Sequence, residues 1–378
     1  MSEQLPGRAI LFDAKSLDGE IREQSGLLHL PDTAPPRGGY PVVVFGHMTT
    51  GASAAAAPSL AAPGHPEWRR ISQGDALCVR LLKLGIAVLR PDYEGIGPAP
   101  ISASPMGGAS NLEPVERSEA RHPHPYLIAP SLAESMLAIM RARRSIDERL
   151  GNGWVAAGHS EGAFAALHAS VLAEPDEDAT LLGTAAFAPP TRMDLSIGLA
   201  RHMPGWVPGA GVVSALIGLM LSGAATEDER IKKLVTTGGL SLEARNVWAD
   251  IDTRPLTELA AKGSWGDVAP SKIASKHQRE LWQLLFESFK KNEIANLAPS
   301  TDPAQNRIKQ SPVRIDAARF DEVAPAPLAA AMMRRYRKQG FDLTTKWWPT
   351  HHSGVMHDKH APSQAANWIA ERFGRLSR

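Results

Sequence analysis

The feature that most limits how this chain can fold is the pentapeptide Gly158-His159-Ser160-Glu161-Gly162. It lies between a short apolar run, Trp154-Val155-Ala156-Ala157, and a helix-forming run, Ala163-Phe164-Ala165-Ala166-Leu167-His168. A G-x-S-x-G sequence joining a strand to a helix makes a turn so sharp that its serine is strained and its hydroxyl exposed. Small residues on both sides let the chain pass close to its neighbours. The helix N-terminus adds partial positive charge where an oxyanion would form. Ser160 is the expected nucleophile.

The flanking sequence repeats the strand-then-helix theme. Pro41-Val42-Val43-Val44-Phe45, Gly85 to Arg90, Trp154 to Ala157 and Thr184 to Phe187 read as buried parallel strands. Pro312 to Ile315 and Leu343 to Trp348 are two later ones. Helices are expected at Asp75 to Leu84, Ser131 to Leu150, Leu328 to Lys338 and Pro362 to Phe373. Alternation of this kind implies an α/β chain with a mostly parallel central sheet flanked by helices. Between Pro190 and Gln310 no strand of similar quality occurs. Helices are expected there instead, at Val212–Leu221, Glu227–Val235, Leu242–Ile251 and Lys276–Glu293. The expected organisation is therefore a core in two parts, 1–189 and 311–378, with an inserted helical cap over 190–310. The most apolar part of the cap, Gly211 to Leu221, is too short to span a bilayer.

A serine hydroxyl needs a base, and the base needs an orienting carboxylate. With an elbow serine these follow in the order Ser, acid, His. The acid belongs in the loop after a late strand, which selects Asp321, with Asp316 and Glu322 as reserves. The base belongs after the last strand, in Pro349-Thr350-His351-His352-Ser353-Gly354-Val355-Met356-His357. His352 is the choice, ahead of His351 and His357. The crowding of His351, His352, His357, Asp358 and His360 raises a metal site, but the spacing is not that of structural zinc. Two backbone amides should form the oxyanion hole, those of Glu161 and Thr49, with Met48 in reserve. His47 is expected to shape that loop, and Asp92 to fix a turn from which Tyr93 and Glu94 reach the site rim.

These residues resemble the secretory lipase group of α/β-hydrolases, the lipases similar to Candida antarctica lipase A and their bacterial relatives. The resemblance rests on Pro41 to Gly51 with its Thr49-Thr50-Gly51, Ala57-Pro58-Ser59-Leu60, and Pro91-Asp92-Tyr93-Glu94-Gly95-Ile96-Gly97. It continues through His124-Pro125-Tyr126-Leu127, Arg141-Ala142-Arg143 and the elbow itself. In the second half it is carried by Asp321 with Val323 and Pro325, and by the His352 loop. It implies the α/β-hydrolase fold with a helical cap inserted after the sixth strand, hydrolysis of esters with an apolar acyl part, and no cofactor. The chain departs from the family at His47-Met48, where the family has His-Gly.

Charge argues against some partners. With 41 basic and 40 acidic residues the net charge is +1, which draws neither nucleic acid nor an anionic membrane. The one cysteine, Cys78, excludes an intrachain disulfide. The first residues lack a basic region followed by an apolar core, so a cytoplasmic location is the expectation. The leading functional reading is a carboxylic ester hydrolase acting on a small apolar substrate. The same residues would also serve an amide, peptide or lactone bond, or acyl transfer. A non-catalytic binding protein on this fold is a third reading. Oligomeric state is not legible.

Overall fold

The computed structural model describes residues 5–97, 122–173, 179–275, 278–298 and 311–374. The expected helix start at Lys276, the core's start at Met1 and end at Arg378, and the cap's end at Gln310 lie outside them.

Eight strands form one sheet: β1 (Arg8–Lys15), β2 (Ile21–His29), β3 (Tyr40–Gly46), β4 (Ala87–Pro91), β5 (Leu150–His159), β6 (Thr180–Phe187), β7 (Val313–Ala318) and β8 (Leu343–Trp348). Their order is β1-β2-β4-β3-β5-β6-β7-β8. β2 pairs antiparallel with both β1 and β4, and every pairing from β4 to β8 is parallel. This is the mostly parallel sheet expected, extended by an antiparallel hairpin at one edge. β1 alternates buried and exposed positions along its length, as an edge strand with one wet face does.

Side chains alternate across the sheet, so successive residues of one strand enter different cores. Val42 and Val44 join one hydrophobic cluster, and Val43 and Phe45 join the other. The helices of eight residues or more are α1 (Asp75–Lys83), α2 (Ala129–Arg141), α3 (Glu161–Leu172), α4 (Met193–Ala200), α5 (Ala210–Glu227), α6 (Glu229–Thr237), α7 (Gln278–Lys291), α8 (Ala326–Lys338) and α9 (Ala361–Arg372). α1 and α9 cover one face with Leu77, Cys78, Leu81, Ala365 and Ile369. α2, α3 and α8 cover the other, with Leu132, Met136, Ala165 and Met332. Cys78 is buried, and burial raises its thiol to about 12, so it packs as an inert apolar residue.

Three helical expectations need correction. The helix expected over Leu242–Ile251 breaks at Val247 into a short helix, Leu242–Asn246, and a 3₁₀ turn, Trp248–Asp252. The helix expected to reach Leu150 stops at Arg141, followed by a short helical turn Arg143–Ile146, and Leu150 opens β5. The apolar face ends at Met140. Arg143 turns inward, donating to the carbonyls of Gly151 and Met140, which ends the helix and starts the strand. The apolar run at 211–221, expected too short to span a bilayer, lies within an 18-residue helix, α5, long and apolar enough by length and composition to cross a membrane. In this structure 61% of that stretch is buried in protein.

Helices α4 to α7 all lie between β6 and β7. They are tied back to the core at several points. Gly223 of α5 packs so closely on the Tyr126 backbone that a Cβ there would collide with it. Asn292, just past α7, accepts from the Ala129 amide at 2.8 Å, and its carbonyl lies 3.0 Å from Nε2 of His168 on α3. Between α6 and α7, the Leu256 amide donates to the Thr50 carbonyl at 2.8 Å, and Pro255 bridges to Gly51. The buried Glu67 carboxylate accepts from the Thr257 amide and pairs with Arg70, whose guanidinium also donates to Thr257 Oγ1.

Candidate active site

The strand order changes direction beside β3. The chain runs from β3 outward to β4, then returns to place β5 on the opposite side of β3. Loops leaving the C-terminal ends of β3 and β5 therefore diverge and leave a crevice, the usual ligand position in an open parallel sheet. The first of these loops is Gly46 to Gly51, and the second is the elbow at Ser160. Asp321 and His352 follow the same ends of β7 and β8. Topology alone gathers residues distant in sequence at one edge of the sheet.

Ser160 occupies φ 56° and ψ −115°, a conformation that a non-glycine residue holds only when its surroundings impose it. Its amide donates to the Phe187 carbonyl at 2.9 Å, and its own carbonyl accepts from Phe164 at 3.0 Å. The two elbow glycines are needed for space. A Cβ on Gly162 would strike the Gly46 carbonyl, and one on Gly158 would strike Gly162. β3, the elbow and α3 are thus in backbone contact, which holds the Gly46 loop against the serine.

Ser160 Oγ lies 2.9 Å from His352 Nε2. His352 Nδ1 lies 2.9 and 3.0 Å from the two carboxylate oxygens of Asp321. Asp321 Oδ1 also accepts from the amides of Val323 at 2.9 Å and Ala324 at 2.6 Å, which fixes the carboxylate in place. The Asp321 and His352 side chains are nearly sealed from solvent, at 1% and 3% exposure. Glu322 plays a different part. Its Oε2 accepts from the His352 backbone amide at 3.1 Å, so neighbouring carboxylates hold the ring and the backbone of one histidine. Asp316 is turned the other way, onto Arg314 and the Trp348 indole N–H.

The remaining histidines of that loop disperse. His351 and His357 are exposed, His360 Nδ1 contacts the Gly354 carbonyl at 2.7 Å, and Asp358 pairs with Arg80. Among the described residues no group of three or more His, Cys, Asp or Glu is set to hold a metal ion.

Thr49 and Glu161 are both buried, and their amides donate to no acceptor among the described residues. His47 donates from Nδ1 to the neighbouring Met48 carbonyl at 2.7 Å, and burial depresses its pKa to about 3, so it stays neutral and shapes the loop. Asp92 accepts from Ser25 Oγ at 2.6 Å and from the Ser59 amide at 2.9 Å; its role is structural as expected, but it ties its loop to β2 and to the 58–60 turn and, among the described residues, makes no side-chain bond within its own turn. Tyr93 and Glu94 do not reach a rim. Both are buried; Tyr93 donates to the His47 carbonyl at 3.0 Å, and Glu94 accepts from Ser131.

Sequence reasoning did not single out the roles of His159 and His124. His159 packs its ring 5.2 Å from that of His352 and contacts the His352 carbonyl at 3.4 Å. Burial, with His352 beside it, holds it far below the usual histidine range, so it backs the site without competing for protons. His124 contacts Glu161 at 2.9 Å. The local hint was the adjacency of His159 and Glu161 to the serine; their partners lie 193 and 37 residues away.

Ser160 opens onto a cavity of about 690 Å³ lined mostly by apolar side chains, with Ser196 and Glu322 among the few polar ones. α4 supplies Met193, Ile197 and Leu199, α5 supplies Val213, Leu216 and Met220, and Val323 and Leu328 close the far side. Leu195, Leu199 and Val212, also in its lining, are exposed to solvent.

No family model matches this chain, and no curated protein does. Solved structures do. Candida antarctica lipase A in its closed state aligns with a TM-score of 0.70 at 13% identity, covering 98% of this chain and 78% of the lipase. A ligand-bound form of the rice cell wall degrading esterase LipA from Xanthomonas oryzae aligns at 0.64 with 16% identity, covering 97% and 89%. What such distant likeness establishes is architecture, and by that measure this chain has the α/β-hydrolase fold of these lipase and esterase structures.

Proposed function

We propose that the chain is a serine hydrolase that cleaves carboxylic esters with an apolar acyl or alcohol part. The observation that carries this reading is the 2.9 Å contact between Ser160 Oγ and His352 Nε2 at the mouth of the apolar cavity. In it, Ser160 Oγ attacks the ester carbonyl while His352 Nε2 takes the hydroxyl proton. Asp321 keeps the Nδ1 proton in place and stabilises the imidazolium that forms. The amides of Glu161 and Thr49 receive the oxyanion, aided by the N-terminus of α3. Collapse of the tetrahedral intermediate expels the alcohol, which takes its proton from His352. Water then attacks the acyl-serine by the reverse sequence and releases the acid.

The apolar lining supports the substrate class. A hydrocarbon chain gains about 0.8 kcal/mol for each methylene moved from water into such a site. A charged or strongly hydrated group would find few partners there. The lipase and esterase activities of the similar structures point the same way. The decisive experiment is stopped-flow hydrolysis of p-nitrophenyl esters together with labelling by a fluorophosphonate. The expected result is a burst of nitrophenolate and a covalent adduct on Ser160, both lost in Ser160→Ala at unchanged melting temperature. Turnover that survives Ser160→Ala, or a phosphonate that leaves Ser160 unmodified, overturns the proposal. Release from anilides or lactones with no release from esters would reassign the bond.

A further inference from the structure

Both residues whose amides are assigned to the oxyanion hole are gripped by their side chains from one short segment. Tyr126 Oη lies 2.9 Å from Thr49 Oγ1. Two residues earlier, His124 Nε2 lies 2.9 Å from Glu161 Oε1. Thr49 follows β3 and Glu161 follows the nucleophile, so the segment 124–126 spans the two halves of the hole. The grip is rigid: His124, Tyr126, Thr49 and Glu161 are all buried, and Gly223 of α5 presses on the Tyr126 backbone.

A proton count adds a second role. His124 Nδ1 is 2.7 Å from the Glu94 carbonyl, which only accepts, so Nδ1 carries a proton. The contact between Nε2 and the Glu161 carboxylate needs another. The pair is therefore imidazolium with carboxylate or imidazole with carboxylic acid, and in either form its net charge is zero. The other titratable groups packed around it are Tyr93, stacked between His47 and His124, Tyr126, and Glu94, whose carboxylate binds Ser131 and His122. Among the described residues no lysine or arginine pairs with Glu161. Without the proton shared with His124, the residue next to the nucleophile would hold a buried, uncompensated anion beside a site that must stabilise an oxyanion.

We infer that His124 and Tyr126 are positioning residues that clamp the two donors of the oxyanion hole, and that His124 also neutralises the Glu161 carboxylate. His124 lies outside the cavity lining and acts through Glu161; Tyr126 also lines the cavity, and its part in the clamp is its hydroxyl's contact with Thr49. The inference rests on the serine hydrolase reading, and its test is built so that the two fail separately. The variants are His124→Gln, the same change combined with Glu161→Gln, and Tyr126→Phe. Each is assayed on a p-nitrophenyl ester and by the rate at which a fluorophosphonate labels Ser160. Labelling passes through the same hole but depends on no substrate preference.

Loss of a whole oxyanion donor costs about 10²- to 10³-fold in kcat, so displacing or opposing one should cost about 10- to 100-fold. H124Q is expected to lower kcat and the labelling rate by that factor, with KM within about threefold of wild type, because the loss falls on the transition state. Adding Glu161→Gln removes the stranded charge and is expected to restore about half of the logarithmic loss or more. Y126F, which removes only a hydroxyl but leaves the buried Thr49 Oγ1 without its partner, is expected to lower both rates about 3- to 10-fold while the protein stays folded with a modestly lower melting temperature. Wild-type rates in folded H124Q or folded Y126F overturn the clamp, and a double variant no faster than H124Q overturns the charge role. If H124Q does not fold, Y126F decides the clamp, and folding together with activity in the double variant upholds the charge role while its absence overturns it. Absence of ester turnover in the wild type refutes the ester reading and leaves labelling rates to judge this one.

Discussion

Replacing Asp321 by asparagine changes one atom and should nearly abolish turnover. Asp321 Oδ1 accepts from the amides of Val323 and Ala324, at 2.9 and 2.6 Å. An asparagine must keep its carbonyl oxygen there, since turning its NH₂ toward two N–H groups would leave three donors facing one another. Its NH₂ then faces His352 Nδ1, where Oδ2 now stands at 3.0 Å. The retained carbonyl oxygen also lies 2.9 Å from Nδ1 but already accepts from two amides, so a donor at the Oδ2 place favours Nδ1 as acceptor, which moves the ring proton to Nε2, the atom 2.9 Å from Ser160 Oγ. A protonated Nε2 cannot take the serine proton. Tautomer reversal of this kind costs about 10⁴ in kcat, or about 5.5 kcal/mol of transition-state stabilisation. The fold should be little affected, because the two amides keep an acceptor. The assay is kcat and KM on a p-nitrophenyl ester, with the melting temperature alongside. The expected outcome is kcat down about 10³- to 10⁴-fold, KM within about threefold, and melting within a few degrees of wild type. Activity above a tenth of wild type in D321N would refute the tautomer argument and with it the role assigned to Asp321.

Buried histidines make stability depend on pH, His159 among them. Burial holds His29 at about 4, His47 at about 3 and His168 at about 4, below the ordinary value of 6.5. The unfolded chain binds these protons below about pH 6.5 while the native chain does not, so their contribution falls as pH drops from there toward about 4. Each group removes about 1.4 kcal/mol per pH unit in that window, which urea melts between pH 7 and 4.5 should register as a falling midpoint; a flat midpoint would contradict it. Leu216→Trp narrows the cavity. If it displaces two or three methylenes of a long acyl chain, kcat/KM for that chain should fall about 30-fold while an acetyl ester stays within about threefold. Equal losses on both esters would show that the acyl group lies elsewhere.

Much of the core was legible because it is buried on both faces. β3 and β4 are continuous apolar runs flanked by turn residues, and no other element suits them. β1 and β2 escaped notice for the opposite reason. Arg8–Lys15 has one wet face, and Ile21–His29 carries Arg22, Glu23 and Gln24, so neither presents a solid apolar run. α4, a cavity wall, was also missed: its residues are apolar almost all round, with Gly198 in its midst, and show no 3.6-residue stripe. Ser160, Asp321 and His352 were accessible because chain order and strand ends constrain them. The contacts of His124 with Glu161 and of Tyr126 with Thr49 were not, since nothing local in a sequence says which buried polar groups meet across 37 or 77 residues.

The bonds that tie Pro255–Thr257 to Thr50, Gly51 and Glu67 set a boundary for redesign. A chimera that exchanges the whole stretch between β6 and β7 for a foreign one would change which molecules enter and would also unfasten the backbone on which Thr49 is mounted. Specificity and rate would then shift together, and screening for new substrates would mostly recover slow enzymes. Grafts that keep 254–257 native and vary only α4 and the first half of α5 separate the two properties.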